Sequence, residues 1–268
     1  VDDVDLLYEL ANMEDIQKDG VAGEAWTLLA FDCVDYELDP SWTVTRESLV
    51  ALLLAAQRED GGFASSQNGS QADTYTTALC LLALQPYAQD HQQAIEAALD
   101  WLSSQQNADG TFLQLEEKNG SATALAVMVL DAYSLQEDSR FIKAEGNAMD
   151  GLATFYREDG GYADRLSGSS ESTSTQLACI AYAASDKEAS AFDFQEYYLT
   201  YQEKSSMDVA KEFMGYTLGV MALIFLSLAL VSLAGRVQQK KKKKKPAVGQ
   251  EDAGAASGDV PTNSNDEE

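Results

Sequence analysis

Three stretches of this chain end one helix and lead into the next in nearly the same words: QREDGGFA at residues 57–64, QNADGTFL at 106–113 and YREDGGYA at 156–163. The aspartates at their centres, Asp60, Asp109 and Asp159, lie 49 and 50 residues apart. A fixed pitch of this size marks a stacked unit that cannot bury its apolar face alone and needs neighbours on either side.

What flanks the turns alternates in kind. Upstream lies a segment with one apolar stripe. In QQAIEAALDWLSSQQ, Ala94, Ala97, Ala98, Trp101 and Leu102 fall at i, i+3, i+4, i+7 and i+8, with Glu96 and Asp100 off the stripe. Downstream, after a polar loop, lies a segment apolar nearly all round. TYTTALCLLAL, SATALAVMVLDAY and STSTQLACIAYAA align on Thr77, Thr123 and Thr175, and GEAWTLLAFDCV (23–34) is a fourth copy with Glu24 at the threonine position. A helix apolar on all sides must be surrounded, whereas a striped one can face water. The chain therefore reads as helical hairpins, an outer helix, a turn and an inner helix. Asp19-Gly20 and YQEKS (201–205) are degenerate copies of the turn, and about nine helices are expected ahead of residue 209. Within the turn, glycine supplies positive φ to stop the outer helix, aspartate accepts from nearby backbone amides, and the aromatic covers the helix end.

Residues 213–234, FMGYTLGVMALIFLSLALVSLA, hold no charge over 22 positions, the length that crosses a hydrocarbon core of roughly 30 Å. Arg236 and the six lysines 240–245 follow at once and, by the positive-inside rule, put the C-terminus in the cytoplasm and the repeats outside. The tail beyond lacks aromatics and apolar periodicity and is expected to be disordered. The expected domains are 1–208, an extracellular repeat domain; 209–235, a transmembrane helix; and 236–268, a basic run with a disordered tail. Export without a starting Met or signal peptide leads to the expectation of a processed chain or the C-terminal piece of a longer one. Before residue 213, 11 Lys/Arg stand against 38 Asp/Glu, a net charge near −27 that repels nucleic acid and anionic membrane surfaces. Cys33, Cys80 and Cys179 are odd in number, lack CxxC spacing and sit in apolar runs, so they read as buried thiols, neither disulfides nor zinc ligands.

The run Q-x-x-D-G-G-(F/Y), at Gln57 to Phe63 and in variant form at Gln106 to Phe112, resembles the QW-type repeat of terpenoid cyclases and protein prenyltransferase β subunits. Asp73 to Leu84 (DTYTTALCLLAL) also resembles the inner helices of cobalamin carriers of the transcobalamin and intrinsic-factor kind. The third copy departs, with Tyr156 in place of the glutamine. The resemblance covers roughly residues 4–204 and implies an all-α fold, an (α/α) toroid. Only about four and a half hairpins are visible, so the expectation is a partial ring, N-terminally truncated.

The chemistries of the resembling families each need residues that can be sought. Cyclases that protonate polyenes use Asp-x-Asp-Asp, a crowded and therefore strong acid; the nearest stretch here, Asp2-Asp3-Val4-Asp5, has the wrong order. Protein prenyltransferases hold zinc with Asp, Cys and His; the sole histidine, His91, falls in a connection between helices. The Cys-Gly-Glu-Gln of thioester modules is absent. No catalytic residue and no metal site is therefore expected.

What the resemblance leaves is the cavity mouth, lined in such folds by the N-terminal ends of the inner helices. Here those ends carry Glu24, Trp26, Asp73, Tyr75, Thr76, Ser121, Thr123, Glu171, Ser172 and Thr173. Hydroxyls with a few acids and aromatics suit a polar organic ligand, although Asp73 and Ser121 also stand where helix N-caps belong. The expected function is a membrane-anchored, cell-surface, non-catalytic ligand-binding module, with a cobalamin-like small molecule as the first ligand, no bound cofactor otherwise, the lipid bilayer as a partner through residues 213–234, and no nucleic acid. Two alternatives stay open: a cyclase- or prenyltransferase-like enzyme whose motif lies outside this chain, and a surface adhesion module.

Overall fold

The computed structural model describes residues 6–12, 20–35, 37–187 and 191–195. All of the described residues belong to one compact unit, which falls within 1–202. The expected span at 213–234, the basic run and the tail lie outside the described residues, among which no helix is long and apolar enough to cross a membrane.

The described residues hold eight α-helices, against nine expected: α1 (Leu6–Ala11), α2 (Gly20–Asp32), α3 (Arg46–Ala55), α4 (Thr74–Leu84), α5 (Gln92–Ser104), α6 (Gly120–Ala132), α7 (Ala148–Ala153) and α8 (Ser172–Lys187). The remaining regular structure is a 3-10 turn at Gln85–Tyr87 and a two-residue-a-side hairpin, β1 (Leu113–Gln114) and β2 (Glu117–Lys118). Helices α2, α4, α6 and α8 pack side by side in chain order, while α3 lies on α2, α5 on α4 and α7 on α6. The alternation of inner and outer helices is thus the one the apolar patterns require.

Burial follows pattern closely in the middle of the array and less so at its end. Helix α6 is buried from Gly120 to Asp131, and α4 throughout except at Tyr75. Helix α8 differs, for Gln176, Cys179 and Ala183 are exposed along one face. The expectation of a buried Cys179 thiol is corrected accordingly: STSTQLACIAYAASDK is polar at both ends, and among the described residues no outer helix covers that face. Cys80 is fully buried, as expected, and no disulfide joins the three cysteines. In α5 the buried side chains are Ile95, Ala98, Leu99 and Leu102, a stripe set slightly round from the one expected. Trp101 lies instead over the turn of the preceding unit, where its indole N–H donates to Asp60 Oδ2 at 3.1 Å.

The repeated turns explain themselves bond by bond. Gly61, Gly110 and Gly160 have φ of +97°, +84° and +88°, a region L residues avoid. Asp60, Asp109 and Asp159 each accept through Oδ1 from the backbone N–H two residues on, at 3.2, 3.2 and 3.0 Å. The aromatic that follows is buried at Phe63 and Phe112 and half-buried at Tyr162, and its N–H needs an acceptor that no helix or sheet supplies. The aligned threonines provide it: the N–H groups of Phe63, Phe112 and Tyr162 donate to Oγ1 of Thr77, Thr123 and Thr175 at 2.8, 3.0 and 2.9 Å.

A second recurring contact ties one unit to the next. Two residues past each turn aromatic, the loop meets the N-terminus of the previous inner helix, where unpaired amides point outward. Ser65 O accepts from Val21 N–H (3.1 Å), Gln114 Oε1 from Tyr75 N–H (2.9 Å) and Asp164 O from Gly120 N–H (2.8 Å). Finally, a strap at residues 191–195 follows α8 and lies against α2, the inner helix at the other end of the described array. Phe194 N–H donates to Cys33 O at 2.8 Å, Asp35 N–H donates to Gln195 Oε1 at 2.7 Å, and Phe192 meets Trp26 edge to face at 5.5 Å.

Candidate functional site

The loop-to-helix plugs bring polar side chains together at the N-terminal ends of α4, α6 and α8. There an open cleft of about 320 Å³ is lined by Tyr75, Gln114, Asn119, Ser121, Asp164, Glu171, Thr173 and Ser174. Of the residues expected at the mouth, Tyr75, Ser121, Glu171 and Thr173 are in the cleft. Tyr75 is half-buried, and burial raises its phenol above the ordinary value. The nearby Trp26 indole opposes that shift, and the charges of Asp164 and Asp73 add to it. Ser121 Oγ and Ser174 Oγ lie 3.0 Å apart, and Ser174 also donates to Asp164 Oδ1 at 3.3 Å. Glu171 and Thr173 form the exposed rim.

The other expected residues have different work. Thr123 is fully buried and spends its hydroxyl on Phe112 N–H and on Asn119 O, so it is a turn acceptor and not a ligand contact. Asp73 caps α4: Oδ1 accepts from Thr76 N–H and Oδ2 from Thr76 Oγ1, both at 2.9 Å, which leaves Thr76 buried and occupied as well. Glu24 is buried against Gln67 Nε2 at 2.8 Å, and burial raises its carboxyl despite that donor. Trp26 is outside the cleft lining and meets Phe192 edge to face. Ser172 is exposed at the start of α8, outside the lining.

Sequence reasoning passed over Gln114, Asn119, Asp164 and Ser174. Asn119 caps α6 by accepting from Ala122 N–H at 2.9 Å and donates to Asp164 Oδ2 at 2.8 Å. Gln114 donates to Asp73 Oδ1 at 3.0 Å while accepting from Tyr75 N–H. The signal that could have found Gln114 and Asp164 is their shared offset from the turn aromatics, which composition hides because Ser65, Gln114 and Asp164 differ in chemistry.

The lining carries two carboxylates and no Lys or Arg. Such a site attracts neutral hydrogen-bonding or cationic groups and repels phosphates. A larger surface groove, about 410 Å³, runs between the first turn and the start of α5 and includes His91. Its central side chain, Gln57, already donates to Gly61 O and Ala94 O at 2.8 and 2.7 Å, so that groove is the outer seam of two units. Among the described residues no three His, Cys, Asp or Glu side chains gather as a metal-holding group.

Helical hairpins stacked about parallel inner helices, with a mouth at their N-terminal ends, define an α/α-toroid protein. The chain belongs to the prenyltransferase alpha-alpha toroid domain family, whose model matches residues 10–243. Among solved structures it is similar to a Candida albicans protein geranylgeranyltransferase-I complexed with GGPP, at 14% identity and a TM-score of 0.49. That likeness covers 64% of this chain and half of that one. No curated protein matches.

Proposed function

We propose that this chain is a membrane-tethered α/α-toroid module that binds a small ligand without turning it over, and that the cleft between α4, α6 and α8 is the seat. One observation carries the reading: the cleft offers hydroxyl, amide and carboxylate groups around a half-buried tyrosine and no cationic side chain. The ligand class this favours is a neutral polyhydroxylated or cationic amine compound that stacks on Tyr75. A cobalamin-like ligand would seat only one of its polar edges in about 320 Å³.

Isothermal titration of the full chain with hydroxocobalamin, spermidine and a neutral disaccharide tests this. Binding of one of them that is lost in Tyr75→Ala and weakened in Asp164→Asn supports the reading. Absence of binding by all three at about millimolar ligand, the affinity floor near 4 kcal/mol, overturns it. Turnover of geranylgeranyl diphosphate, the compound bound in the similar structure, would replace it with a catalytic reading.

The tether rests on residues 213–234 and the basic run 240–245. Carbonate-resistant membrane association, with the repeats open to external protease and the tail protected, supports an outward-facing single span. Release by carbonate removes it.

A further inference from the structure

Hydrogen bonds at the floor of the cleft fix which way its protons point. Asp164 accepts from Asn119 Nδ2 through Oδ2 at 2.8 Å and from Ser174 Oγ through Oδ1 at 3.3 Å. Ser174 has one hydroxyl proton, and a carboxylate is a stronger acceptor than a second hydroxyl. The 3.0 Å contact between the two serines is therefore donated by Ser121. With Ser121 6% exposed and Ser174 1%, little water reaches the pair to reorder it. Ser121 thus sends its proton into the protein and keeps acceptor capacity for the cleft that it lines. The two lining amides are set the other way. Oδ1 of Asn119 and Oε1 of Gln114 already accept from Ala122 N–H and Tyr75 N–H, both at 2.9 Å. Each donates one proton to a carboxylate, Asn119 to Asp164 and Gln114 to Asp73, and has one N–H to spare. Helix N-termini otherwise favour anions. Here the opening amides of α4 and α6 are taken by Gln114, Asp73, Asp164 and Asn119, and Glu171 stands directly ahead of α8.

We propose that the cleft selects a compound carrying an ammonium group beside hydroxyls, an amino sugar or an amino alcohol. Its ammonium donates to Ser121 Oγ and the Asp164 carboxylate, Glu171 at the rim adds attraction, and its hydroxyls accept from Gln114 and Asn119. The assignment names the ligand class of the site proposed above and rests on that site being a seat. Spermidine and a neutral disaccharide each meet half of the pattern. Ser174 acts through Ser121: it is a positioning residue that holds the Ser121 proton away from the ligand.

Calorimetric titration of the full chain with glucosamine and with glucose tests this, because the two differ only in the group on one ring carbon. At about pH 6, where an amine is protonated, glucosamine should bind roughly tenfold more tightly than glucose, the difference a charge-assisted hydrogen bond makes. Ser121→Ala should bring the two within about threefold of one another. Ser174→Ala frees the Ser121 proton to turn into the cleft, so glucosamine should weaken by roughly threefold to tenfold while glucose holds or gains. A floor that merely loosened would weaken both sugars alike. Equal affinities in the wild type, or equal losses in Ser174→Ala, overturn the proposal and leave the seat standing where Tyr75→Ala still abolishes binding. Binding of hydroxocobalamin or spermidine with neither sugar bound overturns it in the same way, whereas failure of every compound removes seat and proposal together.

Discussion

Replacing the repeated threonines by valine removes one hydroxyl from each turn while keeping the side chain's shape, and the three sites differ in burial in a way that fixes their order. At Thr123 the loss strips Phe112 N–H of its acceptor, with both residues fully buried. A buried donor left without a partner costs about 1–3 kcal/mol, so Thr123→Val should cost about 2 kcal/mol. Thr77→Val leaves Phe63 N–H in the same state, with both groups again fully buried, and should cost as much. At Thr175 both partners are half-buried and water can replace the acceptor; the expected cost is below about 1 kcal/mol. Urea unfolding followed by tryptophan emission reads the series. With a slope of about 2 kcal/mol per molar, Thr77→Val and Thr123→Val each lower the midpoint by about 1 M and Thr175→Val by less than half of that. Serine at position 123 keeps an acceptor oxygen and should recover most of the loss. Thr123→Val within about 0.3 kcal/mol of wild type, or Thr175→Val as costly as Thr123→Val, would refute the role given to this column.

Other perturbations follow from the same geometry. Gly110→Ala would place its methyl 1.8 Å from Asn147 O, whereas at Gly160, with similar φ, nothing lies within 4 Å; thermal melts should show Gly160→Ala losing about 1–2 kcal/mol from backbone strain alone and Gly110→Ala losing several times that. Burial raises the Asp131 carboxyl, opposed by Gln136 and Ser185 as donors, and its Oδ2 has no partner. The folded chain therefore holds this proton more tightly than the unfolded chain. Its contribution is most favourable below the ordinary carboxylate range and declines as pH rises through the elevated folded value, so Asp131→Asn should lessen the fall in urea midpoint between about pH 4 and pH 7. Arg140 gathers Glu96, Asp100 and Asp138 at 3.0, 2.8 and 2.9 Å. Because Glu96 and Asp100 are solvent-exposed, Arg140→Ala should cost only about 1 kcal/mol, and the cost should shrink in about 1 M salt.

The legible part of this molecule is the part that repeats. Asp-Gly turns, the threonine column and the all-apolar runs of α4 and α6 each carry a requirement that few residue types meet, so the requirement shows in the letters. The inter-unit plugs meet a need for any acceptor, backbone or side chain, and Ser65, Gln114 and Asp164 share no letter. Gln114 and Asp164, two of the eight residues lining the cleft, were invisible for that reason. Thr123 was misread because a helix-end hydroxyl that faces a ligand and one that faces a turn amide look alike in one dimension. The exposed face of α8 depends on which helices surround it, and that is a property of the neighbours, not of its own sixteen residues.

Those plugs also bear on how the chain is made. The amides opening α2, α4 and α6 wait for Ser65, Gln114 and Asp164, each about 40 residues further along. At roughly 5–20 residues per second, a newly emerged inner helix stays unfinished for several seconds until the following loop leaves the ribosome. A nascent hairpin is completed by its successor, so stalling translation between units should leave the last one frayed, and a cut between any two harms the one that came first.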